Sequence, residues 1–143
     1  MADKVLDFEG AVNLSDYEGF RFNFEGGNDP YLEANKPGMK GADGNIATAM
    51  TGMGFQRADG QAFDLHSLDF GFTGGAVGVS AFAYTADGKW LQYYVDDMPA
   101  NNMNHITLDW SNVVYAGISV NNDGTIEVSV DNIHIGSHDG LFV

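Results

Sequence analysis

Residues suited to binding chemistry concentrate between positions 77 and 115 of the 143-residue chain. Val77, Val79, Ala81 and Ala83 alternate with Ser80, Phe82 and Tyr84. After Ala86-Asp87-Gly88-Lys89, Leu91, Tyr93 and Val95 alternate with Trp90, Gln92 and Tyr94. A period of two belongs to strands, and Asp-Gly between two such runs marks a hairpin. With the aliphatic set inward, Phe82, Tyr84, Trp90 and Tyr94 share the opposite face with Gln92. Trp and Tyr rings stack on the C–H faces of sugars, while amides and carboxylates hydrogen-bond the hydroxyls. The strip is thus a candidate glycan platform. Outward His105, Thr107 and Asp109 on the next strand, with Tyr115 beyond, extend its polar side. The ordinary alternatives are a face covered by a loop, with Phe82 as core, or a protein–protein surface. Were sugars held at loop tips instead, Tyr31, Trp90 and Tyr115 would be the candidates.

Catalytic constellations fail their context tests. His134 and His138 frame H-x-x-x-H with Asp139 next, but on a strand ending at Gly136 the two imidazoles do not share a helical face, so the zinc reading falls. Pairs such as Asp64 with Asp69, or Asp96 with Asp97, are uninformative among 20 acids, and Asp96-Asp97 before Met98-Pro99 reads as a turn. Gly71-Phe72-Thr73-Gly74-Gly75 lacks the helix that a phosphate loop needs. His66 serves a bulge, and Arg21 and Arg57 read as solvated surface.

The elements that position these residues are strands almost throughout. Nineteen glycines punctuate the chain, and Asp-Gly recurs at 43–44, 59–60, 87–88, 123–124 and 139–140. Leu6 and Phe8 alternate, as do Phe20, Phe22 and Phe24. Phe63, Leu65, Leu68, Phe70 and Phe72 slip phase at His66-Ser67, which predicts a bulge. Ile106, Leu108 and Trp110 form one run, Val114, Ala116, Ile118 and Val120 another, and Ile126, Val128 and Val130 a third. Residues 26–45 read as one long polar loop. About ten short strands with turns between them predict an all-β fold, an antiparallel β-sandwich or jelly roll. Residues 1–143 form one such domain.

Composition excludes several classes. Six Lys and Arg against 20 Asp and Glu give a net charge of −14, which repels nucleic acid and anionic membranes. The acids are 15 Asp and only 5 Glu, and Asp suits turns and oxygen-rich cation sites better than helix surfaces. Without Cys, disulfide scaffolds and thiolate chemistry are out. No apolar run reaches membrane-spanning length and no signal-peptide core follows Met1. That start reads as a domain excised from a larger secreted protein.

Two terminal segments carry a resemblance. Val5-Leu6-Asp7-Phe8-Glu9-Gly10 and Val128-Ser129-Val130-Asp131-Asn132-Ile133-His134-Ile135 resemble the first and last strands of bacterial jelly-roll carbohydrate-binding modules, and also domains of exported PEP-CTERM-type surface proteins. The strand order of the middle, FDLHSLDFGF, VGVSAFAYTADGK, HITLDWSNVVYAGISV, follows the same pattern. The resemblance implies that the end strands pair and that Glu9 and Asp131 bind a structural calcium ion. Asp7, or a carbonyl of the 26–45 loop, completes the set. Phe8 and Val130 inward would turn Glu9 and Asp131 away from the core, and calcium takes about 6–8 oxygens; the alternative is a pair of solvated edge carboxylates.

The expectation is a non-catalytic, calcium-stabilised module of a bacterial extracellular or cell-surface protein. It binds a polysaccharide or oligosaccharide, neutral or cationic rather than anionic, through Trp90, Tyr94, Tyr84, Phe82 and Tyr115, with Gln92, His105 and Asp109 bonding hydroxyls. The alternatives are a structural or adhesive domain without a glycan site, and a small polysaccharide-active enzyme.

Overall fold

The computed structural model describes residues 4–9, 13–14, 17–24, 31–34, 44–50, 52–73, 78–95, 101–120 and 127–137. These form ten strands: β1 (Lys4–Leu6), β2 (Phe20–Phe24), β3 (Tyr31–Ala34), β4 (Asn45–Met50), β5 (Gly52–Arg57), β6 (Phe63–Phe72), β7 (Val79–Thr85), β8 (Trp90–Val95), β9 (Asn104–Val120) and β10 (Glu127–Ser137). All pairings are antiparallel. No helix occurs among the described residues, and so none long and apolar enough to cross a membrane.

The 17 residues of β9 would run roughly 55 Å if straight, against a radius of gyration of about 14 Å for a chain of this length. The strand therefore bends, and Asp109 and Asn112 adopt left-handed backbone, at φ 51° and 61°. Before the bend β9 pairs with β6; after it, β9 lies between β5 and β7. Fully buried Val113 is the hand-over, in register with both Phe63 and Thr85. One continuous sheet thus curls into two layers. The first runs β8–β7–β9–β5–β2. The second runs β9–β6–β10–β4–β3, with β1 beside the C-terminal half of β10. This is a jelly-roll β-sandwich.

Phenylalanines from both layers fill the space between. Phe63 meets Phe20 edge-on at 5.1 Å and Phe55 at 5.9 Å; Phe22 stacks on Phe55 at 5.4 Å and meets Phe8 at 5.2 Å. Tilted and edge-to-face pairs of this kind add about 0.5–1.5 kcal/mol each beyond area burial.

Several sequence expectations change here. The 26–45 segment is not all loop, since Tyr31–Ala34 pairs with β4; residues 26–30 and 35–43 lie outside the described set. The runs at 106–110 and 114–120 are one bent strand. The bulge at His66-Ser67 is present as register shifts of β6 against β9 and β10. Tyr93 faces the inner side as expected but is 44% exposed, because β8 is the layer's edge and overhangs the core. Arg57 is buried rather than solvated, its guanidinium bonded to Asp59 at 2.6 Å and to the Ala62 carbonyl at 3.4 Å. The Asp96-Asp97 turn, His138 and Asp139 lie outside the described residues.

Phe63 is fully buried between two rings. Phe63→Ala should lower unfolding free energy by about 3–5 kcal/mol, read from urea denaturation, whereas Tyr93→Ala should change it by under about 1 kcal/mol.

Candidate functional site

The outer face of the β8–β7–β9–β5–β2 layer is built in rows across the strands. Direct partners share a face, so Trp90, Tyr84 and Tyr115 form one row; Gln92, Phe82, Gly117 and Gly54 a second; Tyr94, Ser80, Ser119 and Gly52 a third. Gln56 and Arg21 continue the first row. Trp90, Tyr94 and Tyr84 are about half exposed, at 49%, 52% and 48%. Trp90 lies parallel to Phe82 at 5.2 Å and at 4.7 Å from Tyr84. Phe82 also meets Tyr115 at 6.2 Å. Phe82 therefore points outward but is buried beneath its neighbours, at 7% exposure.

The glycines let these rings lie flat. A Cβ on Gly117 would come within 2.5 Å of the Phe82 ring, one on Gly54 within 1.8 Å of the Tyr115 hydroxyl, and one on Gly78 within 2.1 Å of the Tyr94 hydroxyl. Beside the rings a cavity of about 320 Å³ is lined by Gly78, Ser80, Gln92, Tyr94, Ser119 and Val120. In it Gln92 Nε2 donates to Ser80 Oγ at 2.9 Å, which fixes the amide. No described Asp or Glu falls at these register positions, and exposed Arg21 is the face's one described charge. An uncharged trough with stacking rings at its side suits a planar, hydroxyl-bearing ligand.

Sequence reading placed Trp90, Gln92, Tyr94, Tyr84, Phe82 and Tyr115 on this face, and they meet there. His105 and Asp109 do not join them. His105 precedes the bend of β9 and so belongs to the other layer, where its Nδ1 is 2.8 Å from Asp69 Oδ1. Asp109 sits on the bend, 3.8 Å from His66 Nδ1. Ser80 falls on the predicted outward face but carries no assigned role there, and Ser119 and the three glycines went unnoticed, although their alternation with buried aliphatics was readable. Tyr31 lies on the far layer and donates to Glu127.

Acidic side chains gather around the last strand. β1 and β10 pair, Leu6 with Ile133, which carries Asp7 and Glu9 toward Asp131. Glu9 is exposed, whereas Asp131 is buried at 6%. Glu9 Oε2 accepts from the Asn45 amide at 2.6 Å and lies against Gly44, where a Cβ would be 2.5 Å away. Asp7 Oδ1 caps the Glu9 amide at 3.1 Å and takes the Tyr17 hydroxyl at 3.4 Å. Phe8 and Asn132 hold left-handed backbone, at φ 61° and 47°, a conformation that is costly for a bulky ring. Burial pushes the Asp131 carboxyl up to about 7; the nearby charges of Asp69, Glu9 and Asp7 add to this, against the Asn132 amide. A cation would reverse that shift. Oxygen-only donors and the Gly44 clearance fit a hard ion such as calcium. Among the described residues no three His, Asp or Glu side chains come close enough to hold a metal by themselves, so main-chain oxygens would have to complete any such site.

No protein-family profile matches the sequence, and no curated protein matches it either. Solved structures do. Over 98% of this chain and 94% of the other, the fold superposes on the C-terminal family 22 carbohydrate-binding module of Clostridium thermocellum Xyn10B, with TM-score 0.52 and 17% identity. The fold is the jelly roll of that carbohydrate-binding module. TmCBM61, solved with β-1,4-galactotriose, matches at TM-score 0.55 and 8% identity over 92% of this chain and 94% of its own. The family 11 carbohydrate-binding module of Clostridium thermocellum, in complex with a β-1,3-1,4-mixed-linked tetrasaccharide, matches at 0.54 and 16% over 94% and 95%. Identities this low establish a carbohydrate-binding-module fold and nothing finer.

Asp131 supplies a pH test. Its folded pKa, about 7, lies above the ordinary 3.8, so the folded state holds its proton more tightly than the unfolded chain. Stability of the metal-free protein should therefore fall as pH rises from about 4 to about 7. Melting curves in chelator at pH 5 and pH 8 should show that loss, and Asp131→Asn should shrink it by raising the pH 8 value. An unchanged pH dependence in the variant would refute the burial argument.

Proposed function

We propose that this chain is a non-catalytic carbohydrate-binding module that binds a polysaccharide across the outer face of the β8–β7–β9–β5–β2 layer. The observation that carries the reading is the uncharged aromatic trough on a chain of net charge −14. Trp90 and Tyr94 stack on sugar rings, Tyr84 and Tyr115 flank them, and Gln92, Ser80 and Ser119 bond hydroxyls. Phe82 supports Trp90 from below. Without carboxylates among the face's described residues, a neutral glycan is preferred to an amine-bearing one, and the overall charge disfavours uronates. The fold shared with carbohydrate-binding modules supports the same reading and agrees with a role outside the cell, beside other domains of a bacterial secreted or surface protein.

Calcium belongs to this proposal as a structural ion. Glu9 and Asp131 would hold it together with main-chain oxygens, and Asp7 would position the Glu9 segment. When bound, the ion neutralises the buried Asp131 charge and ties the first strand to the last.

A second reading, an adhesive domain, is favoured by one observation. β8 pairs only with β7 among the described residues, and such an edge invites pairing with another chain.

Affinity electrophoresis in soluble neutral polysaccharides should retard the wild type. Trp90→Ala and Tyr94→Ala should each weaken binding by roughly tenfold, the loss of about 1.4 kcal/mol of stacking. Retardation that survives both changes would remove the trough as the site. Concentration-dependent self-association without retardation would favour the adhesive reading. For the metal, calcium should raise the melting temperature by several degrees over chelator. Asp131→Ala should abolish that increment; an equal calcium response in the variant would rule out the assignment.

A further inference from the structure

Leu91 and Trp90 point to opposite sides of the hairpin. On the Leu91 side, away from the trough, a cavity of about 450 Å³ opens between the β7–β8 turn and the bend of β9. Leu91 and Trp110 form its apolar wall, and both pack against the core while remaining half-buried. Sequence alternation places Trp110 on the inward side with Ile106 and Leu108. Asp87, Lys89 and Asp109 stand at the rim with side chains 55%, 72% and 73% exposed.

The walls are fixed in advance. Lys89 N–H donates to Thr85 Oγ1 at 2.9 Å, and Thr85 N–H donates to the Lys89 carbonyl at 3.0 Å. Ala86 N–H donates to the Asn112 carbonyl at 2.9 Å, tying the turn to β9. Across the cavity the left-handed residues Asp109 and Asn112 bracket Trp110, and the Asn112 amide is anchored on Asp64 Oδ1 at 3.1 Å. Asp and Asn tolerate left-handed backbone better than other side chains, so the bend keeps its shape at little cost with the indole half-exposed between them.

The side chains select the ligand. One indole offers a flat apolar surface, two carboxylates accept from hydroxyls, and the Lys89 ammonium donates to a ring or hydroxyl oxygen. Two apolar side chains are too few to hold a hydrophobic peptide or a lipid tail, and two carboxylates against one ammonium repel anions. We propose that this cavity is a second glycan site, taking a single neutral pyranose on Trp110 independently of the trough. The proposal rests on the glycan reading of the chain but uses none of the trough's residues.

The chain has two tryptophans, Trp90 and Trp110, so each site carries its own indole N–H resonance in a nitrogen-15 correlation spectrum. Trp90→Phe assigns the pair. In that variant, titration with glucose, xylose, galactose and mannose to millimolar levels should shift the Trp110 resonance saturably for at least one sugar, and glucuronate should not. Asp109→Asn, at an exposed position, should weaken that titration about tenfold, and Trp110→Phe should weaken the effect on neighbouring amides. A Trp110 resonance that stays still while neutral oligosaccharides move Trp90 in the wild type would overturn the second site alone. If neither resonance responds to any sugar, the glycan reading falls with it. An undiminished titration in Asp109→Asn would also overturn the site.

Discussion

One strand too long for its domain organises this molecule. β9 cannot run straight, and where it bends it leaves β6 and enters the other layer between β5 and β7. Because Val113 is common to both layers, the hairpin β7–β8 can only attach on the far side of the bend. That attachment turns Trp90 and Tyr94 to the outside of one layer and leaves Leu91 beside the gap between layers. The trough and the cavity are two sides of the same hairpin.

Charge is sorted along the same lines. Acids occupy turns, as Asp59 and Asp87 do, or the neighbourhood of the end strands, as Asp7, Glu9 and Asp131 do. Hydrogen bonds to Arg57, Gln61 and Thr85 hold the turn acids below the ordinary carboxylate range. Asp131 is shifted the other way because its surroundings are dry and negative. Carboxylates near the trough would bond well-hydrated sugars at a desolvation cost that Ser and Gln avoid. On this acidic chain the outer face therefore carries Arg21 as its one charge among the described residues.

Much of this was legible in the sequence, and the failures share a cause. Period-two alternation located both faces of the hairpin and the phase slip at His66-Ser67. It turned Tyr93 and Trp110 inward without showing that both remain partly exposed, since alternation gives a side chain's direction and not its strand's place in a layer. The runs at 106–110 and 114–120 read as separate because polar Asn112 stands where an apolar residue would continue the alternation. NIATAM and GMGFQR, the strands β4 and β5, carry small residues where strands ordinarily carry branched ones, so propensity alone missed them. The pairing of the first and last strands came from the resemblance of their motifs. No local pattern in the sequence brings Asp7 and Glu9 to Asp131.

Those small residues have a further consequence. The rings of Phe82, Tyr115 and Tyr94 each rest above a glycine, at Gly117, Gly54 and Gly78. The height and tilt of every such ring are thus set by the residue beneath it. A single methyl group at Gly54 or Gly78 would prop up the tyrosine above it like a shim under a plate, leaving the aromatic residues unchanged while altering the contour they present. At Gly117 the Met53 carbonyl also crowds that space, 3.0 Å from the added carbon, so that pedestal is far harder to adjust. The contour of this face thus has an inconspicuous route of change, through glycines buried under the aromatics rather than through the aromatics themselves.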